Sequence, residues 1–282
     1  MRQVGTGRYC LAGVMGWPAL HSRSPILHGF WMQHYGLAGA YIPLDISPER
    51  FEDAVRALPS LGFRGCNLTM PHKVSAMSFI DEIDETARIV GAVNCLTVLE
   101  SGRIAGTNTD GYGFVESVKE AVPDWHADSG AVVVIGAGGA SRAIIHALVQ
   151  CGASSIMLVN RTRAKAETLA RQISGPIEVM DWERRSDLLE NAGLLVNTTN
   201  QGMIDLPPLD LDLAKMNSSA IVCDIIYVPR RTPLLVDAER RGFRTVGGLG
   251  MLLHQARPCW KLWFDIDPQV SPELYRAVEA TF

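Results

Sequence analysis

AVVVIGAGGASRAIIHALVQ, residues 131–150, decides the fold. The apolar run from Ala131 to Ile135 reads as a strand buried on both faces, as in a parallel sheet. Glycines at 136, 138 and 139 follow at once, and then an apolar helical run that stops before Gly152. With SIMLVN at 155–160 the order is strand, glycine turn, helix, strand. Without Cβ atoms, Gly136, Gly138 and Gly139 let backbone N–H groups approach a pyrophosphate at the positive end of the helix. Position 141 is Ser where the dinucleotide-binding pattern has its third Gly, so the prediction rests on the strand and helix around the turn, against a purely structural tight turn.

Toward the C-terminus, the second strand ends in Asn160, Arg161 and Thr162, followed by Arg163 and Lys165. A site for NAD usually places Asp or Glu here, and that carboxylate would repel a 2′-phosphate. Arg161 instead offers a planar fork suited to phosphate, and Asn160 and Thr162 add neutral donors. The expectation is NADP in preference to NAD; the plainer alternative is a turn entering a helix whose Arg163 and Lys165 face water. Alternation continues through PIEVM (176–180), the charged helical stretch DWERRSDLLENA (181–192), GLLVNTT (193–199), AIVCDIIY (220–227), TPLLVDAERRG (232–242) and FRTVGG (243–248).

Toward the N-terminus the same alternation runs through YCLAGVMG (9–16), SPILHGFWMQHYG (24–36), AYIPLDI (40–46), SPERFEDAVRALPSLG (47–62) and GCNLT (65–69). A largely parallel sheet is predicted. Ser24 before Pro25 reads as an N-cap, with Ile26, Leu27, Phe30 and Trp31 on one helical face. Residues 93–108 read as a hairpin turning at Ser101 and Gly102. The fold class is therefore α/β in two domains: residues 110–249 around the glycine turn, and residues 1–109 joined by 250–282, whose Leu, Trp and Phe fall at helical spacing.

Composition narrows the classes. The 282 residues exceed the roughly 150 of a common domain, with 47% hydrophobic and 20% charged residues. A formal charge of −4 gives no basic field for nucleic acid. Uncharged stretches such as Ser129 to Ser141 fall short of the ~18 apolar residues of a membrane helix. The first residues lack an apolar region ending in a cleavage site, so a cytoplasmic protein is expected. The six cysteines are scattered singly, and the histidines show no ligand spacing, so reduced thiols and no metal are expected.

Polar residues at loop ends mark a second candidate site. Ser22 and Ser24 stand two apart before a helix, to bind a carboxylate or polyol or merely to cap. GCNLTMPHK (65–73) gathers Asn67, Thr69 and Lys73; GAVN (91–94) adds Asn94, and GTNTDGYG (106–113) adds Asp110. Each is ordinary alone, but together they occupy the kind of glycine-flanked loops where α/β proteins bind ligands.

HSRSP, GCNLTMPHK, GAVN, GTNTDGYG, GAGGASRA, NRT, NTT followed by GM, and GGLGMLLHQA occur in this order across the chain. In these motifs the sequence strongly resembles the shikimate dehydrogenase family. The resemblance implies a substrate-binding domain completed by C-terminal helices, and a Rossmann-type doubly wound parallel sheet inserted between them that binds NADP. It implies reduction of 3-dehydroshikimate to shikimate on the route to aromatic amino acids. By the same resemblance Ser22, Ser24, Asn67, Thr69, Asn94, Asp110, Tyr227 and Gln255 hold the substrate, and Lys73 with Asp110 forms the catalytic pair. Gly136, Ala137, Gly138, Gly139, Ala140, Asn160, Arg161, Thr162, Lys165, Ile225 and Gly248 contact the cofactor, with Thr199 and Met251 as neighbours. The departures are Gly29, where many members have Asn, and AVNC at 92–95, where AVNT is common.

The chemistry also follows from charge. Hydride arriving at a ketone carbon leaves negative charge on oxygen, which an ammonium such as that of Lys73 stabilises and protonates. A carboxylate such as Asp110 would orient that ammonium and a neighbouring hydroxyl. The rivals are a quinate/shikimate dehydrogenase of broader substrate or NAD use, a silent NADPH-sensing protein, for which Lys73 and Asp110 have no purpose, and a folate-linked dehydrogenase, for which HSRSP gives no support. A small-molecule substrate is expected for a monomer or homodimer.

Overall fold

The computed structural model describes residues 9–282. The expectation that no leader is present falls largely on residues 1–8, outside the described residues. No helix among the described residues is long and apolar enough to cross a membrane.

Two compact units divide the chain: residues up to Thr109 together with Ala256–Phe282, and Asp110–Gln255. In the first, β1 (Cys10–Gly16), β2 (Gly39–Asp45), β3 (Phe63–Leu68), β4 (Glu82–Ile83), β5 (Cys95–Val98) and β6 (Ile104–Thr107) form a sheet ordered β2-β1-β3-β5-β6-β4. The pairs β1–β2 and β1–β3 are parallel, whereas β5 runs antiparallel to both β3 and β6. The sheet is thus mixed, because the 93–108 hairpin supplies strands through a tight turn that parallel neighbours cannot use. Gly102, at φ +81°, makes that turn.

Helix α1 (Ser24–His34) buries Ser24, Leu27, His28, Trp31 and Met32. Its buried stripe is rotated from the expected one, since Ile26 and Phe30 are only half-buried. Ser24 is also not the cap: Arg23 precedes the helix without a side-chain cap, and the Ser24 N–H donates to Ser22 Oγ at 3.2 Å. Along the chain follow α2 (Phe51–Ala57), the single turn α3 (His72–Ser75) and α4 (Glu85–Val90), capped by Asp84. One face of the sheet packs on Phe51, Val55, Leu58 and Ala87, with Leu68, Leu96 and Ile104 from the strands.

The second unit begins with α5 (Asp110–Ala121) and contains β7 (Ala131–Ile135), α6 (Gly139–Gln150), β8 (Ile156–Val159), α7 (Arg163–Gln172), β9 (Ile177–Met180), β10 (Ala192–Asn197), β11 (Ile221–Asp224), α8 (Pro233–Arg240), β12 (Arg244–Gly247) and α9 (Gly248–His254). All its strand pairs are parallel, in the order β12-β11-β10-β7-β8-β9. That order reverses between β7 and β10, the doubly wound arrangement whose ligands bind beyond the strand C-termini at the reversal. The charged stretch 181–192 is not the expected helix but two 3-10 turns, Trp182–Arg184 and Asp187–Asn191. Leu188 and Leu189 are drawn into the core and Arg185 is tied to Asp210, contacts that one continuous helix face does not offer.

The last helices of the first unit are α10 (Ala256–Phe264) and α11 (Pro272–Glu279). Trp260 and Trp31 are almost wholly buried, and such a side chain contributes roughly 1.5–3 kcal/mol over leaving it in water. Trp263 donates from Nε1 to Leu96 O at 2.8 Å, and a Cβ at Gly65 would stand 2.1 Å from that nitrogen. Helix α9, by contrast, falls in the second unit, so the boundary expected at Gly250 lies instead after Gln255. The reason is packing on α5: a Cβ at Gly113 would meet Gln255 Cβ at 2.6 Å and Met251 O at 2.7 Å.

Candidate active site

In the first unit the sequence-predicted polar residues gather at the C-terminal ends of β1 and β3 and beside β5. Thr69 N donates to Met15 O at 2.9 Å, and a Cβ on Gly16 would stand 2.4 Å from the Thr69 methyl, so glycine there makes room for Thr69. A buried chain of hydrogen bonds joins most of the others. The Tyr41 hydroxyl donates to Asn67 Oδ1 at 2.8 Å and also meets the Ser24 hydroxyl. Asn67 Nδ2 donates to Asn94 O at 3.2 Å and to Cys259 Sγ at 3.3 Å. Asn94 Oδ1 accepts from Thr109 N at 2.8 Å, and Asn94 Nδ2 donates to Thr109 Oγ1 at 3.0 Å. Asn67 thus spends both amide protons inside the protein. These bonds hold Asn67 in place beside Asn94.

Aromatic packing braces this chain. His28 lies flat on Tyr41 at 3.8 Å between ring centres, and its Nδ1 accepts from Trp260 Nε1 at 2.7 Å. That bond places the imidazole proton on Nε2, which meets no hydrogen-bond partner. Burial pushes His28 down to about 3, so the ring is neutral. Burial also drives Tyr41 well above the usual phenol range, which keeps its hydroxyl a donor. The Cys95 thiol, in the AVNC departure, lies within hydrogen-bond reach of Cys259, and burial raises it far above an ordinary thiol. None of the six cysteines forms a disulfide.

Lys73 sits in α3, half-buried, on a backbone pinned by Val93 N donating to Lys73 O at 2.8 Å. The preceding His72 is fixed by its ring bond to Ile46 O at 2.8 Å and by stacking on Phe51 at 4.0 Å. Asp110 is buried as the first residue of α5. The sequence pattern contained no signal for Tyr41, Thr109 or Cys259, which lie in different elements and come together only through sheet register and the return of α10.

In the second unit Gly136, Ala137, Gly138, Asn160, Arg161, Thr162, Lys165 and Thr199 line a cavity of about 260 Å³, together with Trp182, Thr198, Asn200 and Gln201. Gly139, Ala140, Ile225, Gly248 and Met251 are not in its wall. Gly136 adopts φ +114°, and a Cβ there would strike Thr198 Oγ1 at 2.5 Å. At Gly138 and Gly139 an added Cβ would meet nothing within 4 Å, so open space lies where a ligand phosphate would approach the backbone. Helix α6 starts there with no side-chain cap, leaving its N–H groups to an anion. This cradle, with Arg161 and Lys165 in its wall, fits a phosphorylated dinucleotide.

Two side chains of this turn make bonds within the protein. Asn160 accepts from Ala137 N at 3.1 Å and donates to Thr162 O at 2.8 Å, so its amide ties two turns together. Arg163 pairs with Glu167 at 2.9 Å and with Asp181. Beyond the cavity, Asn197 and Asp224 organise the next loops, and neither was singled out from sequence. Asn197 Oδ1 accepts from Thr199 N at 3.0 Å and Thr199 Oγ1 at 2.8 Å, while its Nδ2 donates to Asp224 Oδ1 at 3.2 Å. Asp224 also accepts from Thr232 Oγ1 at 2.7 Å and Ile226 N at 3.1 Å. Burial pushes its carboxyl up to about 6, against these hydrogen bonds, which lower it. Gly248 must be glycine, since a Cβ would lie 2.0 Å from Ile225 O. Among the described residues no cluster of His, Cys, Asp or Glu could hold a metal ion.

A doubly wound parallel sheet with a glycine turn, and a second α/β unit with a buried polar network, define a dinucleotide-binding oxidoreductase class. Residues 14–96 match the shikimate dehydrogenase substrate binding domain, and residues 116–233 the shikimate/quinate 5-dehydrogenase family. The chain belongs to the shikimate dehydrogenase family. It is 51% identical over 269 residues to the NADP(+) shikimate dehydrogenase of Paramagnetospirillum magneticum, covering 95% of this chain and 98% of that one. Among solved structures it is similar to a 5-ketofructose reductase of a Gluconobacter species, at 33% identity and TM-score 0.90, over 98% and 100% of the two chains. It is also similar to the Thermus thermophilus shikimate 5-dehydrogenase in complex with NADP(H) and shikimate, at 31% identity and TM-score 0.86, over 97% and 100%.

Proposed function

We propose that this protein is an NADP-dependent shikimate dehydrogenase, reversibly reducing 3-dehydroshikimate to shikimate in the chorismate route to aromatic amino acids. The observation that carries this reading is 51% identity, over 95% of the chain, to a curated shikimate dehydrogenase (NADP(+)). The uncapped glycine cradle, with Arg161 and Lys165 in its wall, supports it.

Bound NADPH supplies the hydride. Lys73 donates a proton to the carbonyl oxygen as charge develops on it, and Asp110 orients the ammonium and a substrate hydroxyl. Ser22, Ser24, Thr69, Asn94, Tyr227 and Gln255 would hold the carboxylate and ring hydroxyls, and Asn67, which donates to Asn94 O, would help. Arg161 would pair with the 2′-phosphate and the N-terminus of α6 would receive the pyrophosphate. Ile225 and Gly248 would contact the cofactor, with Thr199 and Met251 beside it. The cysteines, none of them in a disulfide, support a cytoplasmic enzyme. We place it there as a monomer or homodimer.

The test is a spectrophotometric assay of NADP and of NAD reduction with shikimate and with quinate. Rapid NADP reduction with shikimate is the expected result. Preference for quinate, or for NAD, would overturn the reading, and no turnover with either substrate would leave a binding protein.

A further inference from the structure

The wall of the nucleotide cavity is built of glycines, Ala137, hydroxyl and amide side chains and two cations, with one exception: the indole of Trp182. The polar members suit phosphates and ribose, whereas a purine base needs a flat apolar face. We propose that Trp182 is the platform on which the adenine of the dinucleotide stacks, an inference that rests on the NADP reading above.

Three observations carry it. First, placement: β8 and β9 are adjacent and parallel, so Arg161, just past the end of β8, and Trp182, just past the end of β9, emerge from the same edge of the sheet. Arg161 would take the 2′-phosphate, and the base attached to that ribose lies close by. Second, rigidity: the Arg185 guanidinium lies 4.7 Å from the indole centre and covers one face. It is locked by bonds to Asp210 O at 2.7 Å, Asp210 Oδ2 at 2.6 Å and Trp182 O at 3.0 Å. Third, anchorage: the indole also packs against the apolar core of this unit. A ring held in this way loses little freedom when a base lands on it, and preorganisation of that kind favours binding.

Titration calorimetry on the full chain tests the proposal, with 2′,5′-ADP as the adenine probe and inorganic pyrophosphate as a competing probe without a base. Base stacking on an aromatic ring predicts that Trp182→Leu weakens 2′,5′-ADP binding by about 5- to 50-fold. Pyrophosphate binding should stay within about twofold, as the glycine turn is untouched, and Trp182→Phe should recover most of the loss because a flat ring returns. In the wild type, 2′,5′-ADP should quench a component of tryptophan emission that the Phe variant lacks. Unchanged 2′,5′-ADP affinity in Trp182→Leu would overturn the platform, as would equal loss of both probes, which would show that Trp182 only shapes the turn. A wild-type protein that binds neither probe would overturn the NADP reading itself, a result distinct from either.

Discussion

Tyr41 of β2 and Asn67 of β3 meet across the intervening β1 through one buried hydrogen bond, hydroxyl to Oδ1 at 2.8 Å. Replacing Tyr41 by Phe keeps the ring on His28 but leaves Asn67 Oδ1 without its donor. An orphaned buried acceptor costs about 1–3 kcal/mol. Chemical unfolding of Tyr41→Phe should show a loss of that order. KM for shikimate should rise, because Ser24 and Asn94 lean on the same chain of bonds, while kcat holds within a few-fold. An unchanged KM would show that the network stabilises the unit and has no part in the site.

Asp224 makes stability depend on pH. Its carboxyl rises from the ordinary 3.8 to about 6 on folding. Between these values the native state keeps a proton that the unfolded chain has released, so stability falls as pH rises through the window and is flat above it. Asp224→Asn keeps acceptors for Ile226 N and Asn197 Nδ2 and removes the buried charge. At pH 7.5 the variant should gain on the order of 1–3 kcal/mol, and near pH 3.5 it should match the wild type. Urea midpoints across that range check the sign; a variant less stable at pH 7.5 would contradict it.

Lys73 acts on the chemical step in the proposed reaction. A positioned acid is typically worth about 10² to 10⁴ in rate, so Lys73→Ala should lose kcat by that order. KM for shikimate should move only a few-fold, since the serines, Thr69 and Asn94 remain. Asp110→Asn should lose kcat too, and the double variant should cost less than the product of the single losses. A salt-sensitive rise in KM with normal turnover would instead make Lys73 a steering charge.

Arg161 should separate the two nicotinamide cofactors. A charged hydrogen bond contributes roughly 1.5–3 kcal/mol, so Arg161→Ala should cut kcat/KM for NADP by about ten- to a hundredfold and leave NAD nearly unaffected. The structure sharpens this prediction, because Arg163 pairs with Glu167 and Asp181. Equal losses with both cofactors would count against phosphate reading.

Local pattern was enough to read the Rossmann-type sheet: a buried strand, a glycine turn and an uninterrupted helix leave few alternatives over residues 131–150. The hairpin at 93–108 was legible for the same reason, through Gly102. The failures share a cause. Residues 181–192 carry helical polarity, yet Arg185 finds Asp210 and the leucines find the core, contacts between positions far apart in sequence. The cap expected at Ser24 fails because its hydroxyl turns to Tyr41. Helix α9 belongs with α5 because of Gly113, a close approach that periodicity does not register. Asn197, Asp224 and Trp182 are ordinary letters until the parallel order of β8 to β11 sets them beside the loops they serve.

The bond from Trp263 Nε1 to Leu96 O spans 167 positions of the chain. On a ribosome adding about 5–20 residues per second, the indole follows its carbonyl by roughly 10–30 s. During that interval the strands of the first unit have been synthesised without Trp260, Trp263 and Leu274, which complete their apolar packing. Residues 110–255 form one continuous stretch and have no such wait. The nascent protein therefore carries a partly uncovered sheet until its last helices emerge, and truncation within α10 should turn this delay into permanent aggregation.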